Sequence, residues 1–162
     1  MNKALFIDRD GTINVDCPYC SKPEQIRLYK DAIDLIRNYR KFGFLIIVIS
    51  NQSGIGRKLF SEEDVIRFND SLNVCLKKFN AEVDKFYFCP HKPEDNCNCR
   101  KPKDGMIKKA MADNDIDLIG SIFVGDRDDI DGELARGLSM HYKILKRTGK
   151  EKIISYEDCM KI

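Results

Sequence analysis

A doubly wound α/β fold, a Rossmann-like parallel sheet with helices on both faces, is what this sequence predicts. Three observations carry that expectation. Short apolar-rich runs recur at residues 4–7, 44–49, 83–88 and 121–125, the first two unbroken as in strands buried on both faces rather than alternating as in a half-solvated sheet. Stretches with apolar residues at helical spacing separate them, and parallel strands need crossovers of that length. The residues at the carboxyl ends of the runs are polar or charged, and that is where ligands bind in open α/β sheets. A chain of 162 residues is long enough for one packed core and short for two, so a single domain over residues 1–162 is expected.

The first run ends in Asp8-Arg9-Asp10-Gly11-Thr12. Two carboxylates converging at a strand end need a counter-charge, and Mg²⁺, a hard oxygen-seeking cation, suits them. A carboxylate there can also attack phosphorus and form an aspartyl phosphate. Gly11 allows a sharp turn, and Thr12 offers its hydroxyl back to the loop. Residues 13–29 lack periodicity and carry Pro18 and Pro23, which predicts a long loop over the strand end. Within it Cys17 and Cys20 have the spacing of a dithiol motif, but no thioredoxin-like helix follows, so two unpaired thiols are expected.

Ala32, Ile33, Ile36, Tyr39 and Phe42 then form a helical face that Gly43 ends. The strand over 44–49 leads into Ser50-Asn51-Gln52-Ser53-Gly54-Ile55-Gly56-Arg57, where side-chain donors and two glycines let backbone N–H groups approach an anion. Ser61 as N-cap and Asp64 at the capping-box position open the next helix. Its buried stripe is Val65, Phe68, Leu72, Cys75, Leu76 and Phe79, with Cys75 as a core thiol.

The strand over 83–88 delivers a loop, residues 89–99, in which Cys89, His91, Cys97 and Cys99 supply the donors tetrahedral Zn²⁺ prefers. Such a site would be closed and structural. Arg100-Lys101-Pro102-Lys103 is bonded to its last ligand, so a metal clamp would fix cations beside the strand end, ready to grip a phosphate. Asp104 can cap a helix carrying Met106, Ile107, Ala110 and Met111. The strand over 121–125 ends in Asp126-Arg127-Asp128-Asp129-Ile130-Asp131. Asp126 is best placed to share a cation with Asp8, and Asp129 or Asp131 would bond ion-bound water or the loop. A helix over 133–138, a strand over 142–145 and a short helix over 155–162, covering a sheet edge, complete the chain. His141 has no neighbouring ligands and reads as structural.

Charged residues make up 33% of the chain with a net charge of +2, which does not mark a nucleic-acid binder. No apolar stretch approaches membrane-spanning length, and the N-terminal apolar run breaks at Asp8, so a soluble, cytoplasmic protein is expected. Seven cysteines, three of them clustered with a histidine, suit metal binding in a reducing compartment better than a disulfide framework. Nothing sets the oligomeric state, for which a monomer is the expectation.

The sequence resembles the haloacid dehalogenase superfamily, whose phosphatases carry four motifs at strand ends. Here these are Asp8-x-Asp10-Gly11-Thr12, Ser50, Lys101, and Gly125-Asp126 with Asp131. Within it, Cys89-Pro90-His91, the run from Cys97 to Pro102, and Asn51 to Arg57 are similar to the nearly capless D-glycero-D-manno-heptose 1,7-bisphosphate 7-phosphatase family, which shares its architecture with histidinol-phosphatase domains. The resemblance implies an essentially capless fold and a Mg²⁺-dependent phosphomonoester hydrolase. It implies Asp8 as nucleophile, Asp10 as general acid and then base, and Ser50, Asn51 and Lys101 as phosphate ligands, with Thr12 and Gln52 nearby. Mg²⁺ would be held by Asp8, the Asp10 carbonyl and Asp126, with Asp131 alongside, and Arg57 and Arg100 would bind the rest of a small phosphorylated sugar. The rival readings are the same hydrolysis on histidinol phosphate or a nucleic-acid end, and a zinc-stapled interaction module without catalysis.

Overall fold

The computed structural model describes residues 1–162 and holds a five-stranded parallel sheet. Its strands are β1 (Ala4–Ile7), β3 (Leu45–Asn51), β4 (Lys85–Cys89), β5 (Ile122–Gly125) and β6 (His141–Ile144), in the order β4-β3-β1-β5-β6. Chain order runs outward from β1 in both directions, so β1 flanks the switch point where an open α/β sheet forms its crevice. All four β1 side chains are fully buried. Leu5 and Ile7 enter one core with Ile33, Ile36, Phe68 and Leu72, from helices α1 (Lys30–Lys41) and α2 (Glu62–Lys77). Ala4 and Phe6 enter the other with Met106, Ile107 and Ala110 from α3 (Gly105–Asn114) and Leu134 from α4 (Glu133–Gly137). The two-residue period of a strand thus explains why the run is apolar throughout.

The helix boundaries follow local chemistry. Gly43, at φ +84, takes the left-handed conformation just past the C-cap Phe42, which stops α1. At the start of α2 the Asp64 backbone N–H donates to Ser61 Oγ at 3.1 Å, and the Ser61 N–H donates to the Asp64 carboxylate at 2.9 Å. Asp therefore completes the capping box as Glu usually does. Asp104 holds the N-cap position of α3, but its side chain caps nothing and pairs instead with Lys108 at 3.2 Å.

Three expectations need correction. Residues 13–29 are not all loop: a 3₁₀ turn, Pro23–Gln25, leads into β2 (Arg27–Tyr29), which pairs antiparallel with β7 (Ile153–Ser155). The terminal helix is shorter than expected, α5 (Tyr156–Met160) capped by Ser155, and it packs against α2, the 3₁₀ turn and the adjoining β7. Four cysteines are paired. Cys17 and Cys20 form one disulfide with Cα atoms 5.6 Å apart, and the fully buried Cys75 and Cys159 form another, 5.7 Å apart, joining α2 to α5.

Closing a loop of 84 residues restricts the unfolded chain by about 4.5 kcal/mol in the chain-entropy picture. Oxidised protein should therefore unfold at higher urea than the Cys159→Ser variant or protein treated with a phosphine reductant. Equal midpoints would show that the pair contributes nothing. No helix is long and apolar enough to cross a membrane.

Candidate active site and metal loop

The carboxyl ends of β1, β3 and β5 meet around a cavity of about 160 Å³. Asp8 follows β1 directly, its backbone N–H continuing the ladder to the Val124 carbonyl at 3.0 Å. Ser50 lies near the end of β3, and Asp126 follows β5. Gly11, at φ +88, passes so close beneath Asp126 that a Cβ there would strike its carboxylate. Only glycine meets both demands, the backbone conformation and the close approach.

Lys101 is the hub of the charges. Its Nζ donates to Asp8 Oδ1 at 2.7 Å and to Asp131 Oδ1 at 2.9 Å, with 3% of the side chain exposed. Burial alone would push the ammonium's pKa down, but Asp8 and Asp131 carry it above its ordinary value. Burial also drives the Asp8 pKa well up; Lys101 opposes this, and the Asp131 and Asp126 charges add to it. Three carboxylates face one ammonium, so the pocket is short of positive charge. Asp8, Asp126 and Asp131 each offer an oxygen, all within 4.8 Å of one another, a hard donor set that fits Mg²⁺. Thr12 Oγ1 lies 3.2 Å from Asp8 Oδ2 and 3.1 Å from Asp126 Oδ1, tying the two acids together from behind.

Asp10 is held from a different side. Arg9 Nε and Nη2 donate to its two oxygens at 3.0 and 2.9 Å, and Gln52 Nε2 donates to Oδ2 at 3.1 Å and to Ser50 Oγ at 2.6 Å. Arg9 is fully buried, stacked 4.3 Å from the Phe68 ring centroid, with Nη1 donating to Asn69 Oδ1 at 3.0 Å. A fork locked this way fixes the direction in which the carboxyl group points.

The metal loop stands beside the cavity. Cys89, Cys97 and Cys99 have sulfurs 2.8 to 3.7 Å apart, and His91 Nδ1 lies 3.2 and 3.4 Å from the sulfurs of Cys99 and Cys89. A tetrahedral zinc with thiolates at about 2.3 Å would need sulfur separations near ~3.8 Å, so this Cys₃His set fits the ion with small outward shifts. Burial pushes the Cys89 thiol up. Burial acts the same way on Cys97, but backbone N–H groups of Arg100 and Cys99 outweigh it and bring that thiol down to about 6. The next residues carry the loop into the cavity: the Lys101 N–H donates to Asn51 Oδ1 at 2.9 Å, and Asn51 Nδ2 donates back to the Lys101 carbonyl at 3.2 Å.

Asp8, Asp10, Ser50, Asn51, Arg100, Lys101, Asp126 and Asp131 all line the cavity. Thr12 and Gln52 are buried behind its wall, where they orient carboxylates. Arg57 is exposed and outside the cavity wall. Asp131 points inward and is 2% exposed, whereas Asp129 is exposed and pairs with Arg127 at 2.7 Å. Asp16 and Arg127 also line the cavity, and sequence reasoning singled out neither as a site residue. It missed Arg9 as well, whose partners Phe68 and Asn69 lie far along the chain.

Residues 7–148 match the family model described as polynucleotide kinase 3 phosphatase. A Thermoplasma volcanium protein named "Probable D-glycero-D-manno-heptose-1,7-bisphosphate 7-phosphatase" is 49% identical over 89% of this chain and 99% of its own length. The Haemophilus influenzae D-glycero-beta-D-manno-heptose-1,7-bisphosphate 7-phosphatase is 36% identical over 93% of this chain and 84% of its own. Among solved structures, a D,D-heptose 1.7-bisphosphate phosphatase from B. bronchiseptica, complexed with magnesium and phosphate, superimposes with a TM-score of 0.80. It is 29% identical, and the match covers 88% of this chain and 79% of that one. With so much of both chains aligned and the strand-end acids in one cavity, the chain belongs to the haloacid dehalogenase phosphatases, in the D-glycero-D-manno-heptose 1,7-bisphosphate 7-phosphatase family.

Proposed function

We propose that this phosphatase removes the 7-phosphate of D-glycero-D-manno-heptose 1,7-bisphosphate through a covalent phosphate on Asp8. The observation that carries the reading is the buried cluster in which Lys101 bridges Asp8 and Asp131 while Asp126 completes a three-carboxylate donor set. A carboxylate oxygen of Asp8 forms the bond to phosphorus as the bond to the sugar oxygen breaks. Asp10, aimed by Arg9 and Gln52, gives its proton to the leaving alkoxide. It then takes a proton from water, whose oxygen attacks phosphorus and frees Asp8. Lys101, Ser50 and Asn51 hold the phosphoryl oxygens, whose transfer depends on positioning and charge. Mg²⁺, held by Asp8, Asp126 and the Asp10 carbonyl with Asp131 beside it, supplies further charge neutralisation when bound. Arg100, at the cavity wall, is placed for the rest of the sugar phosphate. Zn²⁺ in the loop of Cys89, His91, Cys97 and Cys99 has a structural role.

The family-model description favours one other reading, removal of a phosphate from a nucleic-acid end. Phosphate release with Mg²⁺ should be measured on the heptose bisphosphate, histidinol phosphate, simple sugar phosphates and 3′-phosphorylated oligonucleotides. The heptose bisphosphate is expected to exceed the rest in kcat/KM by about a hundredfold or more, the discrimination polar contacts can supply. Equal or faster turnover of the oligonucleotide would overturn the assignment.

A further inference from the structure

Outside the cavity, on the far side of the nucleophile loop, Arg147 uses all three guanidinium nitrogens. It follows β6 closely; the Leu145 N–H still pairs with the Gly125 carbonyl at 2.8 Å, so the backbone here is anchored beside β5. Arg147 Nε donates to the Gly11 carbonyl at 3.1 Å and Nη2 to the Thr12 carbonyl at 2.6 Å. Nη1 donates to Asp31 Oδ2 at 2.7 Å, and the guanidinium lies 3.6 Å from the centroid of the Tyr29 ring. The side chain is 14% exposed. A planar fork held by a stacking ring and a carboxylate presents two donors at a fixed spacing, which a flexible ammonium cannot do.

The two carbonyls it grips belong to the residues that control the acid cluster. Gly11 is the residue over which Asp126 sits, and Thr12 carries the hydroxyl that joins Asp8 to Asp126. Turning either peptide would swing that hydroxyl away or lift the chain toward the Asp126 carboxylate. We infer that Arg147 is a positioning residue for the divalent-cation site, setting the separation of Asp8 and Asp126 by locking the Gly11–Thr12 turn from behind. The inference rests on reading those acids as a cation site. It assigns a role to the segment after β6, which contributes nothing to the cavity wall.

The test uses the full chain with its zinc loop intact, and Mn²⁺ binding followed by electron paramagnetic resonance, a readout separate from turnover. Wild type should bind one Mn²⁺ that the Asp126→Asn variant loses; failure of this control defeats the cation-site reading itself. Arg147→Lys and Arg147→Gln should weaken Mn²⁺ about tenfold or more, the usual effect of losing a group that orients metal ligands. Their unfolding midpoints without divalent cation should stay close to wild type, and raised Mg²⁺ should restore kcat in Arg147→Lys with KM unchanged. Asp31→Asn, which removes the exposed ion pair but keeps both carbonyl contacts, should bind Mn²⁺ within about twofold of wild type. Wild-type Mn²⁺ affinity in both Arg147 variants would overturn the inference. So would their failure to fold, or an Asp31→Asn loss as large as theirs, since either would make Arg147 a structural strap.

Discussion

Asp8→Asn is expected to lower Mg²⁺-dependent phosphate release by at least about 10,000-fold, equivalent to about 5.5 kcal/mol in the barrier. The amide keeps the shape of the carboxylate and removes the charge that the proposed nucleophile would need. It also frees Lys101 from one of the two carboxylates it bridges, so the ammonium is redirected toward Asp131. Stability should move the other way. Asp8 is buried among Asp126 and Asp131, and burial with those like charges drives its pKa up despite Lys101. Removing the charge therefore relieves the metal-free fold, and the melting temperature should hold or rise. An inactive protein that melts at or above the wild-type temperature separates loss of chemistry from loss of structure. If Asp8→Asn released phosphate at the wild-type rate, a covalent intermediate on that residue could not be part of the reaction.

The outline of this site was legible in the sequence because each part ends a buried strand. Four apolar residues followed by Asp8, or three followed by Gly125 and Asp126, are local patterns that the sheet then brings together. The cluster of Cys89, His91, Cys97 and Cys99 was legible for a related reason, since all four donors lie within one short segment. What escaped depends on distant partners. β2 and β7 are three residues each and exist by pairing across most of the chain, so neither carries a strand's period. Cys75 looked like any core thiol because its partner lies 84 residues away. Arg9 became intelligible only once α2 brought Phe68 and Asn69 against it. The choice between Asp129 and Asp131 turned on a π-helical stretch, Asp128–Gly132, whose wider turn puts Asp131 in the cavity and Asp129 in solvent. No 3.6-residue pattern reports such a turn.

The second large effect should come from emptying the Cys89, His91, Cys97 and Cys99 loop. That loop positions Lys101 through adjoining backbone: the Arg100 N–H donates to Cys97 Sγ at 3.4 Å, Arg100 Nη1 to the His91 carbonyl at 3.4 Å, and the Gly105 N–H to the Asn98 carbonyl at 3.0 Å. Without a cation, crowded thiols repel as they ionise, and the loop has only its 3₁₀ turn, Pro93–Asp95, as regular structure of its own. Only Cys89, at the end of β4, is part of the sheet core, and the rest of the loop lies at its margin, so loss of metal should open the loop without unfolding the whole chain. Cys97→Ser is the cleaner variant, because Cys97 is half-buried whereas Cys89 lies inside the core and would leave a polar group there. A local loss of about 3 kcal/mol would lower the melting temperature by roughly 10 °C for a chain of this size. Activity should fall about a hundredfold or more as Lys101 loses its set position over Asp8, the Asn51 pair being a remaining backbone tether. A zinc-selective chelator with excess Mg²⁺ present should reproduce both losses in wild type, and only zinc, not further Mg²⁺, should reverse them. Zinc-free protein that melts and turns over like the loaded enzyme would show that the cationic hook stands without its clamp.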